Sequence, residues 1–312
     1  MFDQQIASRN EPVFLPVLKE KKVQLFLKRE DEIHPVVSGN KFRKLHYNID
    51  AAIAQGKDTL LTFGGAFSNH IAATAFAGKQ QGLKTIGIIR GDELGKDLEK
   101  TLENNPTLHA AHAQGMQLVF VSRAQYREKN SPDFSAYIHA TFGEVYLVPE
   151  GGTNSLAVQG CEEILTAKDQ DFNYICCAVG TGGTIAGLIN TAKEHQEVLG
   201  FPALKGDFLS KEITPYLTGT ARWSLQNEYH FGGYAKYNSM LIDFLNDVKT
   251  TTGIPLDPIY TGKMMFGVLD LVAQDYFPEG SKILAIHTGG LQGIAGINKQ
   301  LIKKQQTPIQ VS

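Results

Sequence analysis

Residues 173–188 read NYICCAVGTGGTIAGL. Tyr174 to Val179 form an unbroken run of apolar and aromatic residues. Such a run is a strand buried on both faces, as in a parallel sheet. Three glycines and two threonines fill the next five positions, Gly180, Thr181, Gly182, Gly183 and Thr184, and an apolar-periodic helix follows. Backbone N–H groups at a strand–glycine–helix junction, with a helix N-terminus behind them, make an anion cradle. A tight turn at positive φ would use the same glycines, but the two flanking hydroxyls favour phosphate. The spacing is not the dinucleotide fingerprint, which would need glycine where Ile185 stands. No glycine–lysine pair in the chain is followed by Ser or Thr, so a Walker-type loop is absent as well.

Outward from this junction the alternation continues. Strands are predicted at 23–30, 58–65, 84–91, 116–122, 144–152 and 282–290. Helices are predicted at 41–55, 69–81, 107–114, 155–168, 184–195, 237–252 and 263–275, with a short one at the C-terminus. The pattern predicts an α/β protein with parallel sheets covered on both faces. Residues 198–232 mix Gly, Pro and aromatics and receive no assignment. In such folds ligands bind at the carboxyl ends of strands. Five of these ends are rich in glycine or polar residues: GGAFSNH (64–70), RGDELG (90–95), PEGGTNS (149–155), GTGGT (180–184) and HTGG (287–290).

The chain has 312 residues, enough for about two domains. A net charge of −2 gives no reason to expect nucleic acid or a membrane surface as partner. Cys161, Cys176 and Cys177 show neither a disulfide framework nor zinc spacing, and read as buried thiols in a reducing compartment. The nine histidines form no metal motif, so no metal site is predicted. No secretory h-region or long apolar stretch occurs, which predicts a cytoplasmic location.

A second stretch carries an electrostatic puzzle. SGNKFRKLHY (38–47) opens an amphipathic helix, with Ser38 or Asn40 as candidate N-cap. Yet Lys41, Arg43 and Lys44 fall in its first turn, where the helix dipole disfavours cations by roughly 0.3–1 kcal/mol each. Other candidates lie at strand or loop ends. Ser68, Asn69 and His70 open a helix whose N-terminus suits a carboxylate. Tyr260 precedes a Thr-Gly pair, and Thr288 ends a strand.

KRED (28–31), SGNKFRKL, GGAFSNH, GTGGTIAG, YTGK (260–263) and IHTGG (286–290), in that order, resemble the fold-type II pyridoxal-phosphate enzymes. The branch they resemble is that of 1-aminocyclopropane-1-carboxylate deaminase and D-cysteine desulfhydrase, over about residues 23–293. The resemblance implies a tryptophan synthase β-like fold: two open, mostly parallel twisted sheets in two domains. Residues 1–45 plus 150–312 would form the large domain and 46–149 the small one. It implies pyridoxal 5'-phosphate as cofactor, a small amino acid as substrate, and a homodimer. Lys41 matches the Schiff-base lysine and Lys44 the phosphate-contacting lysine. Gly180–Thr184 match the phosphate loop, Asn69 the residue at the cofactor's phenolic oxygen, and Thr288 the residue beside its pyridine nitrogen. Ser68 matches a substrate-carboxylate contact, with Asn69 and His70 beside it, and Thr261 is a further expected substrate contact. Tyr260 and Tyr234, the latter in GGYAK, match two active-site tyrosines. Arg43 has no role by this resemblance and reads as a surface or interdomain ion-pair residue.

Two positions bear on the reaction. The deaminase has glutamate after its active-site tyrosine, where this chain has Thr261, and glutamine after Ser-Asn, where this chain has His70. Both departures resemble D-cysteine desulfhydrase. The expected activity is therefore α,β-elimination from D-cysteine, giving pyruvate, ammonia and sulfide. Opening of the cyclopropane ring to 2-oxobutyrate and ammonia is the alternative. A non-catalytic small-molecule binder on the same scaffold is the alternative of another class.

Overall fold

A computed structural model describes residues 7–37 and 39–311 of the protein. Among these residues ten strands form two sheets. The strands are β1 (Asn10–Val13), β2 (Gln24–Lys28), β3 (Thr59–Gly65), β4 (Lys84–Arg90) and β5 (Gln117–Val121). They continue with β6 (Tyr146–Val148), β7 (Tyr174–Val179), β8 (Glu197–Pro202), β9 (Arg222–Leu225) and β10 (Lys282–Ile286). The six-stranded sheet runs β1-β2-β10-β7-β8-β9 and the four-stranded sheet β5-β4-β3-β6. Every pairing is parallel except β1 with β2. This is the predicted α/β class with two mostly parallel sheets.

The buried strand read first in the sequence lies inside the larger sheet. Its two adjacent cysteines fall on opposite faces. Cys176 packs with Leu27, Leu199 and Phe201 under the Ser239–Thr252 and Thr261–Ala273 helices. Cys177 packs with Val198, Leu284 and Ile286 under the Gly183–Thr191 helix. Both thiols are free, and burial raises their pKa values far above the ordinary range.

The unassigned stretch contains most of β8, all of β9, the short Leu209–Ile213 helix and two 3-10 turns. Glycine and proline hid β8, because both are depleted in strands. Gly200 is needed there: a Cβ would lie 2.5 Å from Ile185 and 2.6 Å from Leu225 side-chain atoms. Two predicted helices are shorter than expected. The 155–168 segment is helical over Ser155–Glu162, and then Thr166 and Asp169 cap a separate turn. Asp169 is held there by Lys28, whose Nζ lies 2.8 Å from its carboxylate with both side chains buried. The 184–195 segment ends at Thr191, and the Gln196 side chain then closes the turn on Lys193 N and on the carbonyls of Asp169 and Phe172.

The Asn40–Ala54 helix crosses the expected boundary between residues 45 and 46. Phe42, Leu45, Ile49 and Ala52 pack against Leu60, Ala73 and Val148, which belong to the smaller sheet and its cover. The carboxyl ends of β3 and β6 thereby face those of β7 and β10 across a single cavity.

Candidate active site

The glycine loop and the cationic helix meet through backbone contact. Gly39, not Ser or Asn, is the N-cap of the Asn40–Ala54 helix, and Asn40 is its first residue. Ser38, the other candidate cap, lies outside the described residues. Gly39 sits at φ +61, and a Cβ there would lie 2.0 Å from the Thr288 carbonyl oxygen. No other residue allows that approach. Asn40 then bridges the two segments, its Nδ2 donating to Thr184 Oγ1 at 2.8 Å. Gly182, in the left-handed region, caps the Gly183–Thr191 helix without any side-chain bond. The first backbone N–H groups of that helix are therefore open to a ligand.

Lys41 and Lys44 both reach this cavity. Lys41 Nζ donates to Asn40 Oδ1 at 3.2 Å. Burial, with Lys44 as a nearby like charge, lowers its pKa from 10.5 to about 7. Lys44 Nζ donates to Thr153 Oγ1 at 2.9 Å, to the Gly151 carbonyl at 3.2 Å and to Thr181 Oγ1 at 3.4 Å. Thr181 Oγ1 in turn lies 2.5 Å from Thr153 Oγ1. Burial lowers the pKa of Lys44 as well. Two cations, three hydroxyls and a helix N-terminus converge here.

Arg43 points away from the cavity, as its spacing implies, but it is not a surface residue. It is 3% exposed, and its Nε and Nη2 each donate to a carboxylate oxygen of Glu30 at 3.0 Å. Glu163 lies 3.5 Å from Nη1. Glu30 belongs to the KRED segment, so this ion pair ties that segment to the lysine-bearing helix.

The opposite wall comes from the Asn69–Gln80 helix, capped by Ser68 without a side-chain bond to the helix. Ser68, Asn69 and His70 all line the cavity. Asn69 Oδ1 is buried with no partner in the protein, which leaves it for a ligand. His70 is buried, its Nε2 2.8 Å from Thr62 Oγ1. The Thr62 hydroxyl donates to the Val148 carbonyl, so His70 carries its proton on Nε2. Burial, then the charges of Lys41 and Lys44, pushes the pKa of His70 well below the usual range, so the ring is neutral.

Tyr234 and Tyr260 close the cavity. Their rings meet edge to face at 6.2 Å. Burial raises both pKa values, that of Tyr260 further. Both phenols are therefore protonated at neutral pH. Asp257, buried behind them, accepts from the backbone N–H groups of Ile259, Tyr260 and Thr261 at 2.8–2.9 Å. Thr261 does not line the cavity. It is fully buried and its hydroxyl donates to Asp257 Oδ1 at 2.7 Å, so the expected substrate contact is replaced by a bond that shapes the tyrosine loop.

The cavity wall thus includes Lys41, Lys44, Asn69, Tyr234, Tyr260 and Thr288, together with Gly180, Thr181, Gly182 and Thr184. Gly183 backs it: a Cβ there would lie 3.2 Å from Lys44 Nζ. Sequence reasoning passed over Asn40, Thr153 and Asp257 as site residues. Thr153 lies in a flagged strand end and Asn40 inside a quoted motif, so position alone was a usable signal. Asp257 stands three residues before Tyr260 and gave only a turn signal. The open helix N-terminus, the Lys44 ammonium and the threonine hydroxyls fit a phosphate, and Lys41 with the unpartnered Asn69 fits the rest of pyridoxal phosphate.

Comparison with known proteins agrees with this chemistry. The family model described as pyridoxal-phosphate dependent enzyme matches residues 8–289. A Thermotoga maritima protein provisionally named a 1-aminocyclopropane-1-carboxylate deaminase is 34% identical, over 93% of this chain and 96% of the relative. The bifunctional D-cysteine desulfhydrase/1-aminocyclopropane-1-carboxylate deaminase of Arabidopsis thaliana, a mitochondrial protein, is 32% identical, over 87% of this chain and 73% of the relative. A crystal structure of an ACC deaminase homologue superposes with a TM-score of 0.79 at 27% identity, covering 95% of this chain and 93% of that one. The chain belongs to the pyridoxal-phosphate dependent enzymes, as a lyase/deaminase of the branch that contains these deaminase and desulfhydrase relatives.

Proposed function

We propose that the enzyme catalyses α,β-elimination from a small D-amino acid, D-cysteine first, consuming one water and releasing pyruvate, ammonia and sulfide. One observation carries the choice: no carboxylate is among the described side chains lining the cavity. Thr288, at the position read as neighbouring the cofactor's ring nitrogen, is a neutral hydroxyl, and Thr261 is turned away. A neutral hydroxyl does not hold a ring nitrogen protonated as a carboxylate would. That disfavours the demanding ring opening and permits loss of a good leaving group. Ring opening to 2-oxobutyrate remains the second reading, because relatives on this branch carry the deaminase name.

Lys41 would hold the cofactor covalently, Lys44 and Gly180–Thr184 its phosphate, Asn69 its phenolic oxygen and Thr288 its ring nitrogen. Bound there, pyridoxal phosphate supplies the electron sink for the bonds at the substrate's α-carbon. Ser68 and the helix N-terminus behind it receive the substrate carboxylate. Lys41, with a pKa of about 7, is matched to take the α-proton on Nζ at neutral pH. The two phenols, both protonated at neutral pH, can donate hydrogen bonds to the departing sulfur, which leaves as hydrosulfide. Domains of 1–45 plus 150–312 and of 46–149 follow the sheet membership of the strands, the Asn40–Ala54 helix bridging them. Three free buried thiols suit a reducing, cytoplasmic compartment, and a homodimer is carried over from the resemblance. Among the described residues no helix is long and apolar enough to cross a membrane.

The test is a substrate panel of D-cysteine, L-cysteine, D-serine and the cyclopropane amino acid, with the keto acid identified. Sulfide and pyruvate from D-cysteine are expected. Release of 2-oxobutyrate from the cyclopropane substrate, without sulfide from D-cysteine, overturns the choice. Borohydride reduction and peptide mass spectrometry should find the pyridoxyl group on Lys41. A label on another lysine would displace Lys41 from its role.

A further inference from the structure

We propose that Lys263 is a positioning residue for the Tyr234–Tyr260 pair: from the helix that begins at Tyr260, its buried ammonium holds the loop that carries Tyr234. The inference rests on the reading of that pair as the hydrogen-bond donors to the leaving group in the reaction above.

Lys263 is 1% exposed, and its Nζ donates to the carbonyls of His230 and Gly233, each at 2.8 Å. One of those carbonyls precedes, and the other lies within, an unusual run of backbone. Phe231, Gly232, Gly233 and Ala235 have φ of +52, +90, +112 and +55. Non-glycine residues at such φ persist only when their surroundings over-determine them. Local bonds alone are few: Gly233 N to the His230 carbonyl, Lys236 N to the Gly233 carbonyl, and Gly232 N to His230 Nδ1. Lys263 adds the tie to a rigid element, one residue before Tyr234.

The same helix face receives the rest of the segment. Phe266 meets Phe231 edge to face at 5.0 Å, and Asp270 Oδ2 accepts from Tyr229 Oη at 2.8 Å. Gly267 permits the approach, since a Cβ would stand 2.8 Å from the Tyr229 ring. Lys263, Phe266 and Asp270 follow the three-and-four spacing of one helix face. Tyr260 is the N-cap of this helix, so both tyrosines are referred to one rigid body. Burial lowers the pKa of Lys263 to about 8. A neutral amine still carries two N–H groups for two carbonyls, so the tie survives titration.

The experiment compares holoenzyme of wild type, Lys263→Met, Tyr234→Phe and the double variant. It measures kcat and KM on the best panel substrate, and hydrogen exchange of residues 229–237 by mass spectrometry. Lys263→Met should lower kcat by about 10- to 100-fold, the scale of a misplaced catalytic group. KM should change less, exchange in 229–237 should rise, and the double variant should be no slower than Tyr234→Phe. Losses that multiply in the double variant, or unchanged exchange in Lys263→Met, overturn the proposal. Should Lys263→Met fail to fold, Lys263→Gln, with its donor on a shorter arm, carries the same cycle and the same two outcomes. If wild type turns over none of the panel while Lys263→Met still loosens 229–237, the reaction reading fails and the structural tie stands.

Discussion

Two of the helix N-termini at the cavity solve one electrostatic problem in opposite ways. The Thr261–Ala273 helix has its own anion: Asp257 accepts three backbone N–H groups and a hydroxyl at its start. The Asn40–Ala54 helix has no acidic residue in its first turn and three cations instead. One of the three, Arg43, is neutralised within the protein by Glu30. The other two face the cavity with lowered pKa values. A terminus completed by the protein serves to place a tyrosine. A terminus left incomplete suits an anionic ligand, which on the function proposed above is the cofactor phosphate.

The comparison breaks first at Arg43. Arg43→Met leaves Glu30 buried without its guanidinium and should cost about 3–5 kcal/mol, read by chemical denaturation. A loss under 1 kcal/mol would mean that Glu30 finds another partner. Asp257→Asn should cost about 1.5–3 kcal/mol, the scale of one hydrogen bond to a charged group, and should loosen Tyr260. Unchanged stability would show that the second terminus does not depend on its carboxylate.

The pH profile sharpens the first terminus. On the proposed role of Lys41 its neutral amine is the nucleophile, so capture of pyridoxal phosphate by the apoenzyme should fall tenfold per unit below pH about 7 and level off above it. A limb near pH 10 would contradict the depressed value. Stability follows the same group. Its folded pKa of about 7 lies below the ordinary 10.5, so the unfolded chain binds the extra proton between those values. Lys41 therefore destabilises the apoprotein fully below pH about 7, and the penalty fades as pH rises toward 10.5. The smallest effect belongs to Thr261→Val, which should cost about 0.5–1.5 kcal/mol and leave the ratio of D-cysteine to cyclopropane turnover unchanged. A changed ratio would return Thr261 to the substrate's side.

The legibility of the molecule divides along similar lines. The strand from Tyr174 to Val179 was readable because its apolar run needs cover on both faces, and the glycines behind it needed a ligand to explain them. The strand at 197–202 was not readable, because Gly200 answers to the side chains of Ile185 and Leu225, which are distant in sequence. Lys41, Lys44 and the glycine loop were legible through local pattern and resemblance. Asp257 and Lys263 were not, since their partners are backbone atoms and a backbone group leaves no trace in residue type.

The sequence by itself determined the α/β class and pointed to the glycine loop and the lysine pair that line the cavity. Each depends on neighbours within one or two turns of chain. Only the tertiary structure decided that Arg43 is buried on Glu30, that Thr261 serves Asp257 and not the cavity, and that two tyrosines are tied to one helix. Those outcomes depend on which direction a side chain faces once distant segments pack, and periodicity assigns a face without naming what lies across it.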